Sequence, residues 1–156
     1  PGQIHAYLRG TGIEILGGSD NVVRGGLTPK HVAIDELRRV LSLPARPPTL
    51  VEPESMPDGE ERWPSLRPEF ALSRLRLTDG ARELSSWGPS IVLCLEGKVE
   101  VRAADAVVAL RGGDSACVTA NAGTVTLVGH GVVVRATAGS LTSATPDMMT
   151  ATRGEA

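Results

Sequence analysis

Beyond residue 68 the apolar positions mostly alternate with polar ones, the period of a strand with one buried face. Four stretches carry the pattern: "FALSRLRL", "SIVLCLEGKVEVR", "AVVALRGGDSACVT" and "TVTLVGHGVVVRA". Glycines punctuate them at Asp79-Gly80, Glu96-Gly97, Gly112-Gly113 and Gly129–Gly131, and the pattern predicts a turn at each. Short strands with glycine turns and no helix between them predict an antiparallel sandwich or barrel over 69–137.

The first 27 residues read as strand, tight turn, strand and polar loop, with no 3.6-residue apolar period. One helix is predicted over about 34–42. Asp35 is its expected N-cap, Leu37, Val40 and Leu41 recur at helical spacing, and Pro44 stops it. Seven of the eleven prolines then fall in "LPARPPTLVEPESMPDGEERWPSLRP", residues 43–68. Such a run spoils helices and central strands, so 44–68 is expected to be an extended connection with short edge strands near Leu50–Val51. The predicted organisation is therefore 1–43, a proline-rich connection 44–68, a β-domain 69–137 and a flexible tail 138–156.

The amino-terminal hairpin has a definite register. Gly10-Thr11 suits a two-residue type II′ turn, which wants glycine first. Tyr7 then lies opposite Glu14 and His5 opposite Leu16. Alternation puts His5, Tyr7 and Glu14 on one face, with Ala6, Leu8, Ile13 and Ile15 on the other. An imidazole, a phenol and a carboxylate on one wall describe either the lining of a polar cavity or an ordinary solvated face. Further along, Arg24 precedes Gly25-Gly26, and Lys30 follows Pro29. Glycines let backbone and guanidinium approach a ligand closely, and an Arg with a Lys suits an anionic group such as a sugar phosphate.

Composition narrows the field. With 41% hydrophobic residues the chain has material for a core, which must be aliphatic because Tyr7, Trp63, Phe70 and Trp87 are its only aromatics. A formal charge of −2 gives no basic footprint for nucleic acid or acidic lipid. No apolar run reaches the roughly 20 residues of a membrane helix, and no leader pattern is visible, so a cytoplasmic location is expected. Cys94 and Cys117, 23 residues apart, match no zinc or redox spacing and read as two buried thiols. The chain opens on Pro1 rather than Met, as a segment cut from something longer would.

Read as a whole, "HAYLRGTGIEILGGSDNVVRGGLTPKHV" resembles the signature of the type I mannose-6-phosphate isomerases, zinc enzymes built from cupin-type jelly rolls. The match runs from His5 to Lys30, and "LCLEGKVEV" and "LRGGDSACVTAN" resemble the family's C-terminal jelly roll. The resemblance implies a mainly β fold of cupin-type jelly roll or β-sandwich with one short helix. It implies that 1–43 is the C-terminal part of a catalytic cupin and 69–137 a metal-free jelly roll. It implies an aldose–ketose isomerase of mannose metabolism, interconverting mannose 6-phosphate and fructose 6-phosphate by zinc-assisted proton transfer through an enediol. His5 corresponds to one of four zinc ligands and Arg24 to the catalytic arginine. Tyr7, Glu14 and Lys30 fall at positions lining the sugar-phosphate pocket. Leu16-Gly17-Gly18 departs from the family's usual Met followed by small residues without altering a ligand.

The family's other zinc ligands, a Gln-x-His pair and a glutamate, lie upstream of the motif. His31 and His130 read as surface histidines, and one imidazole does not hold a zinc that wants three or four protein donors. The expectation is one wall of a site whose remainder belongs to an upstream catalytic half. The competing reading is a non-catalytic β-sandwich module for sugar binding, regulation or subunit contact. Gly112-Gly113-Asp114-Ser115 lacks the lysine and following helix of a phosphate loop and reads as a tight turn.

Overall fold

The computed structural model of the chain describes residues 2–16, 18, 22–44, 47–65, 69–84 and 88–138. The backbone divides into two compact units, Pro1–Leu50 and Val51–Ala156.

The second unit is an antiparallel sheet of eight strands. They are β1 (Glu54–Ser55), β2 (Glu61–Trp63), β3 (Phe70–Leu77), β4 (Ala81–Leu84), β5 (Ser90–Arg102), β6 (Val107–Arg111), β7 (Ser115–Val118) and β8 (Val125–Ala138). The order β1-β2-β3-β8-β5-β6 has two branches, β4 on β8 and β7 on β5. β5 and β8 pair from Ser90↔Thr137 to Arg102↔Thr126, forming a long central ribbon whose two ends take different neighbours. β3 and β7 flank one end, and β4 and β6 the other. This is the jelly-roll arrangement expected for 69–137. The edge strands lie at 54–55 and 61–63 rather than near Leu50–Val51, so part of the proline-rich stretch belongs to the sheet.

The hydrophobic phase explains a bulge in β5. Val92 and Cys94 face the core and are fully buried, and strict alternation would next send Glu96, Lys98 and Glu100 inward. The register against β8 instead slips by one residue between Cys94 and Glu96, leaving Leu95 as the extra residue. That slip returns Val99 and Val101 to the core, at 1% and 6% exposure. The chain of β6 and β7 bends at the same level. Gly113 N–H donates to the Cys94 carbonyl, Cys94 N–H donates to the Asp114 carbonyl, and the Asp114 carboxylate accepts from Arg111 N–H. Gly112-Gly113-Asp114 is thus the tight turn its sequence indicated.

Two predicted turns are not turns. β5 runs unbroken through Glu96-Gly97 and β8 through Gly129–Gly131. Gly97, Gly129 and Gly131 have φ of 84°, 127° and 145°. A Cβ on Gly131 would overlap the Glu96 carbonyl oxygen, and one on Gly97 would overlap that of His130. The glycines let two long strands bend across each other at van der Waals distance instead of ending them. The turn at Asp79-Gly80 is present, with both residues at positive φ.

The core is aliphatic: Leu75, Leu77, Leu84, Val92, Val99, Val101, Leu110, Val125, Leu127 and Val133, with Cys94 among them. Each fully buried Val or Leu contributes about 1.5–3 kcal/mol from removal of apolar surface from water. Cys94 is buried as expected, but Cys117 is exposed, since β7 is an edge strand and alternation turns that side chain outward.

In the first unit, among the described residues, there is one helix, α1 (Ile34–Val40), and no strand. Its N-cap is Ala33 rather than Asp35. Asp35 and Glu36 fall in the first turn and Arg38 and Arg39 in the last, the charge order that suits the helix dipole. It stops at Val40, short of residue 42. The strands predicted for 1–27 have not formed a ladder, although Gly10 adopts the positive φ (119°) its turn requires. Tyr7, Leu8 and Leu16 are 78%, 90% and 68% exposed, so this arm lacks the packed face that a two-stranded hairpin needs for stability. The tail from residue 139 onward lies outside the described residues.

Candidate functional site

The first unit's candidate residues fall in two grooves. The larger, about 520 Å³, is lined by the arm at Gly2–His5, by Val22–Gly26 and by Leu37, Val40 and Leu41 of the helix. His5 and Arg24 both line it. Local features hold these segments together. Ser42 N–H donates to the Gly2 carbonyl at 2.7 Å, and a Cβ on Gly25 would lie 2.8 Å from Leu37 Cδ2. Gly25 therefore lets the strand-like segment beside Arg24 lie directly on the helix. Arg24 Nη1 donates to the Val22 carbonyl at 3.3 Å, which folds the half-buried guanidinium back along its own segment. His5 Nδ1 lies 3.3 Å from the Gln3 carbonyl, and its ring meets Tyr7 edge-on at a centroid distance of 6.4 Å.

The second groove, about 420 Å³, is lined by Tyr7, Arg9, Gly10, Thr11, Gly12 and Glu14. Tyr7 and Glu14 therefore line one groove, although the ladder whose alternation paired them has not formed. His5, assigned to the same face, keeps its edge-on ring contact with Tyr7 and also lines the groove of Arg24. Lys30 lines neither groove; its N–H donates to Thr28 Oγ1 at 3.1 Å, and its side chain is exposed. Arg9 was not among the sequence candidates, although its odd position on the hairpin places it in phase with Tyr7. The helix wall of the first groove was likewise unforeseen. The apolar spacing of Leu37, Val40 and Leu41 gave the helix but not the surface it covers.

The donor set does not by itself suit a metal. Among the described residues no three of His, Cys, Asp and Glu converge. His5 offers one imidazole to its groove, His31 is exposed, and His130 is exposed with Nδ1 3.7 Å from Asp79 Oδ1 in the other unit's sheet. What the first groove offers is a guanidinium and an imidazole above an aliphatic helix wall, suited to polar, oxygen-rich molecules carrying or developing negative charge. No helix among the described residues is long and apolar enough to cross a membrane.

Comparison with known proteins gives a consistent result. The chain is 35% identical over 132 residues to the mannose-6-phosphate isomerase of Escherichia coli, a match covering 84% of this chain and 34% of the relative. It is 37% identical over 107 residues to a probable mannose-6-phosphate isomerase of Dictyostelium discoideum, covering 64% of this chain and 24% of that one. Among solved structures, the mannose 6-phosphate isomerase of Salmonella typhimurium bound to fructose 6-phosphate and zinc superposes with a TM-score of 0.70. That match has 28% identity and covers 80% of this chain and 32% of the other. The apo form of the same enzyme gives 0.69. No family model matches the chain. The chain spans about a quarter to a third of the length of the curated relatives it matches.

Proposed function

The chain belongs to the mannose-6-phosphate isomerase family, and we propose that residues 5–30 form one wall of a site interconverting mannose 6-phosphate and fructose 6-phosphate. The observation that carries the proposal is that His5 and Arg24 line one groove, two residues 19 positions apart that the family motif also groups. On this reading Pro1–Leu50 is the C-terminal part of the catalytic cupin. Val51–Ala138 is a jelly roll without a metal, and the upstream half of the family fold supplies the opposite wall.

The reaction moves a proton from C2 to C1 of the sugar and another from O2 to O1, so negative charge builds on the two oxygens in between. On this reading Arg24 stabilises that charge. Its guanidinium donates to the Val22 carbonyl, which fixes its direction. A preorganised donor of this kind is worth about 3 kcal/mol at the transition state. Tyr7 and Glu14 are assigned to the sugar hydroxyls, and Lys30 to the phosphate as a point charge. His5 is assigned one position on a zinc ion whose other ligands lie outside this chain. The chain's own described residues do not complete a zinc site. A cytoplasmic location and a place in mannose metabolism accompany this assignment. A purely non-catalytic sandwich finds no support among relatives that carry the isomerase name.

The test is kinetic. In the full-length protein, Arg24→Ala is expected to lower kcat about 100- to 1000-fold while KM moves far less, and Arg24→Lys to recover little. An effect confined to KM would reassign Arg24 to ground-state phosphate binding.

A further inference from the structure

One end of the jelly-roll core is polar. Glu60, Ser73, Ser90 and Arg135 are 2%, 3%, 4% and 3% exposed. Ser73 lies in phase with Leu75 and Leu77, and Arg135 in phase with Leu127 and Val133, so both point into the core. The Ser73 hydroxyl donates to Glu60 Oε1. Arg135 Nη1 stands 3.9 Å from the same oxygen, and Arg62 Nη2 stands 3.6 Å from Glu60 Oε2. Burial pulls the Arg135 guanidinium below its ordinary pKa, while the Glu60 charge acts in the other direction. Glu60 closes the turn before β2, with its N–H donating to Asp58 Oδ1 at 3.0 Å and its carbonyl accepting from Met56 N–H at 2.8 Å. This cluster fastens residues 54–63 to the sheet.

Ser90 is the exception within the cluster. It faces the core in the row next to Arg135, because Val92 pairs with Arg135 and Ser90 with Thr137. Its Oγ is buried, and no group among the described residues hydrogen-bonds to it. A hydroxyl buried without a partner is costly, which is why native structures almost always provide one. Ser90 and Arg135 line one small pit, with Leu84, Val118, Thr119 and Val125. Its volume is about 10 Å³. A single water requires about 10–15 Å³, and two to four polar partners. The guanidinium offers N–H groups, and the serine hydroxyl both donates and accepts.

We propose that this pit is a binding site for one ordered water, which accepts from Arg135 and bonds to Ser90 Oγ. The water joins Ser90 to the Glu60–Ser73–Arg135 cluster and completes the fastening of the 54–63 segment. A halide would find donors here too, but it is larger than the pit.

The experiment is a crystal structure of the full chain, grown with bromide present, for the wild type and Ser90→Ala, alongside urea unfolding of both. The wild type is expected to show one non-anomalous water peak within hydrogen-bonding distance of Ser90 Oγ and Arg135. Ser90→Ala should lose that peak and raise the unfolding equilibrium constant about three- to ten-fold. Ser90→Val, which fills the pit, should also exclude the water, a check that needs only a folded crystal. The proposal is overturned by an empty pit in the wild type or by anomalous bromide density there. A Ser90→Ala variant as stable as the wild type or more so would also overturn it.

Discussion

Replacing Gly131 by Ala probes the crossing of the two long strands. Gly131 has a φ of 145°, and a Cβ at this position would overlap the Glu96 carbonyl oxygen and lie 3.0 Å from the Glu96 carbonyl carbon and 3.2 Å from Gly97 Cα. All three obstacles are backbone, so no side chain can swing aside. Two costs add. An L-residue in this region of φ costs about 1–2 kcal/mol. Prising β5 from β8 at their closest approach costs about 1–3 kcal/mol more, as overpacking does. The expected loss is about 2–5 kcal/mol, a large part of the 5–15 kcal/mol typical of a domain. Gly113 supplies the control. Its φ is 95°, but its Cβ would meet nothing within 4 Å, so Gly113→Ala carries the conformational cost alone, about 1–2 kcal/mol. Urea unfolding followed by circular dichroism, with unchanged m-values, gives both numbers. Equal losses in the two variants would refute the close-crossing explanation.

Three further outcomes are expected. A thiol reagent should modify Cys117 rapidly in the native chain and Cys94 only after unfolding; burial, then the charge of Asp114, raises the Cys94 pKa and suppresses its thiolate. Two fast thiols would place Cys94 outside the core. The hydrogen bond from Arg74 Nε, at 2.6 Å, holds the Glu61 carboxyl below its ordinary 4.5. Its contribution is therefore present above that value and lost as pH falls through the lower folded value, so Glu61→Gln should flatten the acid limb of the stability–pH curve; an unchanged limb would remove this pair from the account. Leu127→Ala, at a fully buried position, should cost about 2–5 kcal/mol by the same urea assay, and a cost under about 1 kcal/mol would contradict its place in the core.

Much of the jelly roll was legible because alternation with a buried face is a strong signal. The β5 and β8 stretches were recognised as strands but cut at their glycines. A positive-φ glycine can end a strand or bend it, and only the partner strand decides. Gly97 and Gly131 face each other across the ribbon, a relation that single-stretch reading does not contain. The amino-terminal arm failed for the opposite reason. Its pattern suits a hairpin, but a hairpin needs a third element, and the described residues of its own unit supply none. Within the site, Tyr7 and Glu14 line one groove without the hairpin ladder that alternation predicts, whereas the His5–Arg24 groove depends on Gly25 lying against Leu37. The buried Glu60–Arg135 pair was missed, though Arg135 in phase with Leu127 and Val133 was the clue available.

Zinc affinity of the 156-residue chain tests most directly the claim that it carries one wall of the site and not the whole. With His5 as one donor, titration should show binding no stronger than a solitary imidazole gives, and it should vanish in His5→Ala. Tight binding of one zinc per chain, retained when His31 and His130 are replaced, would mean a complete site within these residues and would contradict the account.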